Sequence, residues 1–542
     1  MKMLSSQWRR SSFLYFHYLA ILSVFVPLTT ANWQYKSRPD LSPPTLNITV
    51  SAAGGIYPEY IFIAPYSFVS WAETTTHGPL QPGPYIFTST GELVWSGFGY
   101  FSGWATNFQV AQWKGEDVLF AFEGSRNTPH GHSHGHAKIL DHSYETVKEI
   151  RGGNHEVLDL HEFHIVDEET ALVESYHPLP LDLQHYGGKP DSQWIVDARF
   201  QELDIATGRL IFEWRSLDHV LPNETVRPIS ELRFGTGHNS SDAIDYFHIN
   251  SVDRDSEHNY LISGRLTSTI YKINGTSGQI IWRLGGKYSN FTLESGVEFS
   301  LQHHARYISK SVDGQTEIIS LFDNSGAQLP DKPGQYINKS SGKLLLLNTE
   351  TWIATLLRLF PAPGDIFAFS QGSTQILPNG NAFVNWGSGG AVTEFSPKGT
   401  VLFHAYLESG ELWENSDVQN YRGFKFNWTG VPNEEPAIVA LRHGESTTIY
   451  VSWNGDTETK FWKFYGVGRV GTKTFLGTQR KTGFETAFYV REGGNWKSYE
   501  AEAVGGHGEV LRKTDVRGPC GGGHYAEQSK VESRKPHKRN LA

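Results

Sequence analysis

The chain has 542 residues, roughly three times a typical single-domain length, so two domains are expected rather than one compact core. Charged residues make up 19% and aromatics 13%, with Trp 16, Tyr 24 and Gly 55, a balance that excludes a coiled coil and excludes disorder over most of the chain. A formal charge of −10 with dispersed basic residues excludes a phosphate-backbone binder, so no nucleic-acid partner is expected.

Residues 1–31 have the three parts of a secretory signal: Lys2, Arg9 and Arg10, the apolar run Phe13 to Val26, then Thr29-Thr30-Ala31 at the cleavage positions. The run is short for a membrane span and Pro27 follows it, so the mature chain is expected to start near Asn32, secreted or luminal, with no later span. Seven glycosylation acceptors, Asn47, Asn223, Asn239, Asn274, Asn290, Asn338 and Asn427, fit that route. Cys520 is the sole cysteine, which excludes an intrachain disulfide and a zinc–thiolate site.

One unit recurs along residues 32–430: a hairpin of two alternating strands closed by a polar turn. Its copies run Tyr85 to Trp95, Ala137 to Val147, Gln201 to Phe212, Ile270 to Trp282, Leu344 to Ala354 and Val392 to Leu402. Inner-strand pairs precede them, at Asn107 to Glu123, His161 to Tyr176, His248 to Arg265, His303 to Phe322 and Gln371 to Trp386. Four short strands repeated six times predict an all-β fold, a six-bladed β-propeller; an array of β-sandwiches would use the same strands.

Beyond Pro436 the hairpin unit stops. Evenly spaced strands over 436–514 predict a β-sandwich of fibronectin III or immunoglobulin type, with Trp453 as a core anchor. Its Glu485, Glu502 and His507 are unclustered, so no catalytic residue is expected there. The Gly-rich, basic tail 515–542 is too polar to fold and is expected to be disordered.

Inner strands of a propeller face a channel, and histidine recurs where they begin. His161 opens Leu160-His-Glu-Phe-His164, His248 sits in Asp245-Tyr-Phe-His-Ile-Asn-Ser251, and His303 sits in Ser300-Leu-Gln-His-His-Ala305. Asn250 lies two residues after His248, on the same strand face, and Arg265 ends the paired strand. Imidazoles with one guanidinium and no carboxylate pair suit a tetrahedral anion such as sulfate or phosphate. A second group, His130, His132, His134 and His136, has the period-two spacing of a chelating row, but without an accompanying carboxylate or thiol it is a weak metal candidate and reads as a Gly-rich blade edge. No cofactor is expected.

The stretches Asp245 to Ser251, Leu261-Ile-Ser-Gly-Arg265 and Ile281-Trp-Arg-Leu-Gly-Gly286 resemble the arylsulfotransferase family over about residues 33–425. Phe200 to Gly208, Phe212 to His219 and Gln375 to Asn381 resemble its fungal branch. The resemblance implies a six-bladed propeller that transfers a sulfuryl group from an aryl sulfate to a phenol, such as a phenolic secondary metabolite, through a sulfated histidine and without a nucleotide donor. Gln302-His303-x-Ala305 resembles the segment carrying that histidine, which implies His303 as nucleophile with His161, His248, Asn250 and Arg265 around the sulfuryl group. His304 is the alternative nucleophile. From other classes, the same channel could convert another aromatic metabolite or bind one without catalysis.

Overall fold

The computed structural model describes residues 33–67, 79–127, 130–232, 235–325, 339–364, 366–407, 418–491 and 496–521. The expected signal and the acceptor Asn338 lie outside them. Among the described residues the fold is all-β, with only three-residue 3-10 turns between strands.

All six hairpins form, and polar turn residues close them. Asp204 Oδ1 accepts the N–H of Thr207 at 2.7 Å, and Asn274 and Asn348 do the same for Ser277 and Thr351, each at 2.8 Å. Such side chains mimic a turn carbonyl, and Gly208 and Gly278, at φ 73° and 72°, take the left-handed position that follows.

Each hairpin is the outer half of an antiparallel sheet. In chain order the sheets are built from Tyr60–Ile63, Tyr85–Phe87 and Leu93–Ser96; from Trp104–Trp113 through Thr146–Ile150; from Phe163–Val166 through Leu210–Arg215; from Ile249–Arg254 through Ile280–Gly285; from His303–Lys310 through Ile353–Pro361; and from Ser373–Ile376 through Val401–Tyr406. Inner strands of successive sheets touch, and the last sheet meets the first through Ala382–Asn385 and Phe424–Phe426, which closes a β-propeller-like ring. Strand exchange ties the ends: Phe424–Phe426 is the innermost strand of the first sheet, and Asn47–Val50 the outermost of the last. A separate apolar core fills each space between neighbouring sheets, for example Phe62, Ile86, Trp95 and Phe108 between the first two. Burial of these wedges holds the ring without a disulfide.

Asparagines link neighbouring sheets at the centre. Asn107 Nδ2 donates to Phe163 O at 3.2 Å, Asn250 to Gln302 O at 2.7 Å, Asn324 to Ala368 O at 2.9 Å, and Asn385 to Asn420 O at 2.9 Å. Each satisfies a buried carbonyl that strand pairing leaves open.

Strands after Pro436 make two further sheets, Ala437–His443, Ser446–Ser452 and Glu485–Val490 in one, Phe461–Val467, Lys473–Arg480, Ser498–Val504 and Val510–Lys513 in the other. Ile449, Val451, Trp453, Trp462, Phe464 and Tyr499 share their core, and Trp453 Nε1 donates to Glu434 O at 2.7 Å, as suits an anchor. Lys473–Arg480 escapes the sequence pattern because its side chains are mostly exposed. The expected disordered tail begins too early at 515: Arg517 bridges Tyr499 and Cys520–Gly521 pairs with Leu441–Arg442, so an open sheet edge orders this backbone. Residues 522–542 lie outside the described ones. No helix of the described residues is long and apolar enough to cross a membrane.

Candidate functional site

Three inner strands are broken at the same place by a bulge, between Thr106 and Gln109, Ile249 and Val252, and His303 and Arg306. Asn107, His248 and His304, at or beside these bulges, have φ of 57°, 53° and 55°. Non-glycine residues occupy this region at a cost of order 1–3 kcal/mol, and bulges re-aim side chains beside functional sites. Arg422 locks the arrangement from the centre. It donates to Glu162 Oε1 at 2.6 Å and to the carbonyls of His161 and Asn250 at 2.8 Å, while Arg306 reaches Glu162 Oε2 at 2.7 Å. Burial favours a neutral Glu162, but the two guanidinium groups outweigh it and hold the carboxyl at about 2.

The expected imidazoles converge. The rings of His161 and His248 lie edge to face at 4.8 Å, and Tyr421 bridges them to His303, at 5.4 Å from His161 and 6.3 Å from His303. Each ring is held through Nδ1. His248 Nδ1 donates to Asp245 Oδ2 at 2.5 Å, His161 Nδ1 to Asp159 Oδ1, and His303 Nδ1 to Asn324 Oδ1 at 2.6 Å. Asn324 spends its own N–H groups on the carbonyls of Ala368 and Gln371, so its oxygen must accept, and the lone pair of His303 is on Nε2. That nitrogen accepts a long hydrogen bond of 3.2 Å from the Gln371 N–H.

Burial dominates the electrostatics. It lowers His248 to about 4 against the pull of Asp245, and drives His303 well below the usual imidazole range, with the Arg265 charge adding to the effect. Asp245 is buried too, yet His248 and His132 hold it well below the carboxylate range, so the pair is an ionised carboxylate with a neutral imidazole. Arg265 is lowered by burial to about 10 and stays charged at neutral pH; its Nη2 donates to Phe369 O at 3.1 Å.

Four of the five expected residues, His161, His248, His303 and Arg265, therefore share one buried cluster. Asn250 does not join the imidazoles: its amide faces Gln302 O and fixes the strand that presents His303, a positioning duty. His304 turns the other way, onto Phe424 at 5.5 Å, with its Nδ1 3.4 Å from the Thr374 N–H. Carboxylates are present, contrary to expectation, because Asp159 and Asp245 come from the residues just before the inner strands and fold back on their own histidines.

The histidine row also departs from its reading. His132 is neither on a blade edge nor without a carboxylate: its Nε2 is 2.9 Å from Asp245 Oδ2, and its ring stacks on Tyr176 at 3.7 Å. His130 is buried as well, while His134 is exposed and His136 half-buried, so the four imidazoles do not share one environment along the strand. A cleft of about 430 Å³ opens at this point, lined by His130, His132, His134, His155, Tyr176 and His177. The imidazole cluster lies behind His132 and Tyr176 rather than at an open mouth.

Sequence reasoning missed Asp159, Glu162, Asp245, Tyr176, Tyr421 and Arg422. Asp245 and Glu162 stand inside the stretches that carry His248 and His161, so a carboxylate within three residues of each histidine was the available signal. Tyr421 and Arg422 lie between the strands Val418–Asn420 and Phe424–Phe426, where no local pattern marks them.

The sequence model of the arylsulfotransferase (ASST) family matches residues 109–408. Among solved structures, a Bacteroides caccae protein of unknown function is similar at 12% identity and a TM-score of 0.37, over 68% of this chain and 99% of that one. A GH43 protein of Bacillus licheniformis is similar at 9% identity and 0.29, over 77% and 90%.

Proposed function

The chain belongs to the arylsulfotransferase (ASST) family, and on that premise we propose that it moves a sulfuryl group from an aryl sulfate to a phenolic acceptor through a sulfated histidine, without a nucleotide sulfate. The observation that supports this most is the meeting of His161, His248 and His303 with the Arg265 charge behind one cleft.

His303 is the nucleophile in this reading, since its Nδ1–H is held by Asn324 and its lone pair is on Nε2. Nε2 attacks sulfur, the sulfur–oxygen bond to the aryl group breaks, and the electron pair leaves on the phenolate. Arg265 offsets the charge on the sulfuryl oxygens. The acceptor phenol then gives its proton to Nε2 of His248, Asp245 steadies the imidazolium, the phenolate oxygen attacks sulfur, and the pair returns to His303. The proton held by His248 passes to the next departing phenolate. His161 stands beside the sulfuryl group and donates to an oxygen when its Nε2 carries hydrogen.

The ring of sheets over 32–430 is read as a six-bladed propeller and 436–514 as a fibronectin-like or immunoglobulin-like sandwich. Secretion and glycosylation remain part of the reading: Asn223, Asn239, Asn290 and Asn427 are exposed, and Asn47 and Asn274 are half-buried. The one observation that favours a binding protein instead is the Gln371 N–H on His303 Nε2, which must yield before attack.

The test is release of a chromogenic phenol from its sulfate ester with and without a second phenol. Transfer predicts release that rises with acceptor and an equal amount of sulfated acceptor. Saturable binding of the ester with no release would select the binding protein.

A further inference from the structure

Glu174 is buried and neither of its carboxyl oxygens has a hydrogen-bond partner. It stands in the strand Thr170–Pro180, next to the strand that His161 introduces. Ligand atoms of Glu174, Asp159 and His161 lie within 4.8 Å of one another, all three residues being buried. An ionised carboxylate without a partner is among the costliest groups to bury. A neutral carboxyl would still hold an O–H with nothing to receive it, a loss of about 1–3 kcal/mol.

Its neighbours do not relieve it. Asp159 is occupied by the N–H groups of His161 and Ser133 and by the ring of His161. Arg422 and Arg306 are both committed to Glu162. Ser133, whose N–H reaches Asp159 Oδ2 at 2.5 Å, has a buried hydroxyl that is also unpartnered. Two carboxylates and one imidazole, all buried, therefore converge, and one of the carboxylates has no partner.

We propose that Asp159, His161 and Glu174 bind a divalent first-row cation, manganese or zinc. Two carboxylates balance its charge, and one imidazole among oxygen donors suits ions between calcium and copper in softness. The ion takes the place of the hydrogen that His161 Nδ1 now shares with Asp159 Oδ1. That hydrogen moves to Nε2 of the same ring, which converts that nitrogen from an acceptor into a donor. The site goes beyond the sulfuryl-transfer reading and stands whether or not transfer occurs, because it answers a defect in the burial of Glu174.

The full-length chain, stripped with chelator and dialysed separately against Mn²⁺, Zn²⁺ and Ca²⁺, is weighed for metal by mass spectrometry without substrate. About one equivalent of manganese or zinc per chain is expected to survive removal of loose ions. Glu174→Gln should weaken retention at least about tenfold, as loss of an inner ligand exceeds the 10–100-fold typical of outer partners. His134→Ala with His136→Ala should retain the ion, which separates this site from the surface histidines. Because a Glu174 variant could misfold, wild-type chain loaded with Co²⁺ supplies a second readout, a visible absorption band of nitrogen- and oxygen-bound cobalt. No retained manganese or zinc with no cobalt band, retention of calcium alone, or retention lost in the His134/His136 variant would each overturn the site. None of these measurements depends on turnover, so failure here is distinct from failure of sulfuryl transfer.

Discussion

The ring of sheets and the C-terminal pair of sheets are both built from short, mainly antiparallel strands and treat strain and charge in opposite ways. Every non-glycine residue with positive φ among the described ones lies before Gly372, and several sit at the centre of the ring. Buried ion pairs follow the same division. Glu162 with Arg422 and Arg306, and Glu394 with Lys425, lie in the ring, whereas Lys473–Glu500 and Lys513–Glu502 in the C-terminal sheets expose their lysines. A fold that only needs to be stable can put its charges in water. The ring instead retains strained backbone and desolvated charge around three histidines, which is where preorganised chemistry needs them.

The largest expected effect falls on turnover at the centre. His303→Ala should reduce sulfuryl transfer by about three orders of magnitude or more, as loss of a nucleophile does, an effect on turnover far larger than its effect on thermal melting. His304→Ala should do the reverse, since that ring packs on Phe424 outside the cluster. Kinetics and melting curves on both variants check this, and equal loss of turnover from the two would dissolve the distinction between them.

Next comes stability. Arg422→Met leaves Glu162 as a buried charge with Arg306 alone, and is expected to cost about 3–5 kcal/mol. Lys473→Ala, at an exposed pair in the C-terminal sheets, should cost less than about 1 kcal/mol. Denaturant melts give both numbers. Similar values would mean that the ring's central charges do no more than surface ones.

How much of this could be read from sequence follows from the range of each signal. Hairpins are local, and their turn residues and alternation marked all six. The three histidines were legible because their position recurs relative to those hairpins. Arg422 was not, because its partners His161, Glu162 and Asn250 are more than 170 residues away and meet it only when the ring closes. His132 was misread for a related reason: period-two spacing describes a strand's faces, but its partners Asp245 and Tyr176 come from another sheet.

Acid should separate the two regions further. His404 lies in the ring beside Thr393 and Tyr406, and burial lowers it to about 4; burial also drives His304 well below its usual range. Between about 6.5 and 4 the unfolded chain binds the proton that the folded ring refuses, so stability falls as pH falls through that window. For His404 alone the loss at pH 5 relative to pH 7 is on the order of 2 kcal/mol. His404→Gln should remove that share. In the C-terminal sheets His443 and His507 are exposed, so their melting should move less. Hydrogen exchange at pH 7 and pH 5 reports each region separately, and a uniform response would contradict the division.

The smallest effect on turnover is expected at the contact between the regions. Asn454 Nδ2 donates to Ser96 O at 3.0 Å and its Oδ1 accepts the Ser96 N–H at 2.8 Å, while Tyr144 donates to Gly455 O at 2.7 Å. Gly455 has φ of 93°, and a Cβ there would come within 2.4 Å of the Tyr144 ring and 2.7 Å of Trp95. Gly455→Val must therefore push the C-terminal sheets off the first two sheets of the ring, on strained backbone as well. His161, His248 and His303 are introduced by the third, fourth and fifth sheets, so turnover per folded molecule should stay within about twofold while melting falls by several degrees. Removing the chain after about Val431 would expose the same Trp95 and Tyr144 surface and invite aggregation, which makes the point substitution the cleaner measurement. A soluble, monomeric Gly455→Val chain with no turnover would show that the C-terminal sheets hold the cluster in shape, and that strain at the centre depends on support from outside the ring.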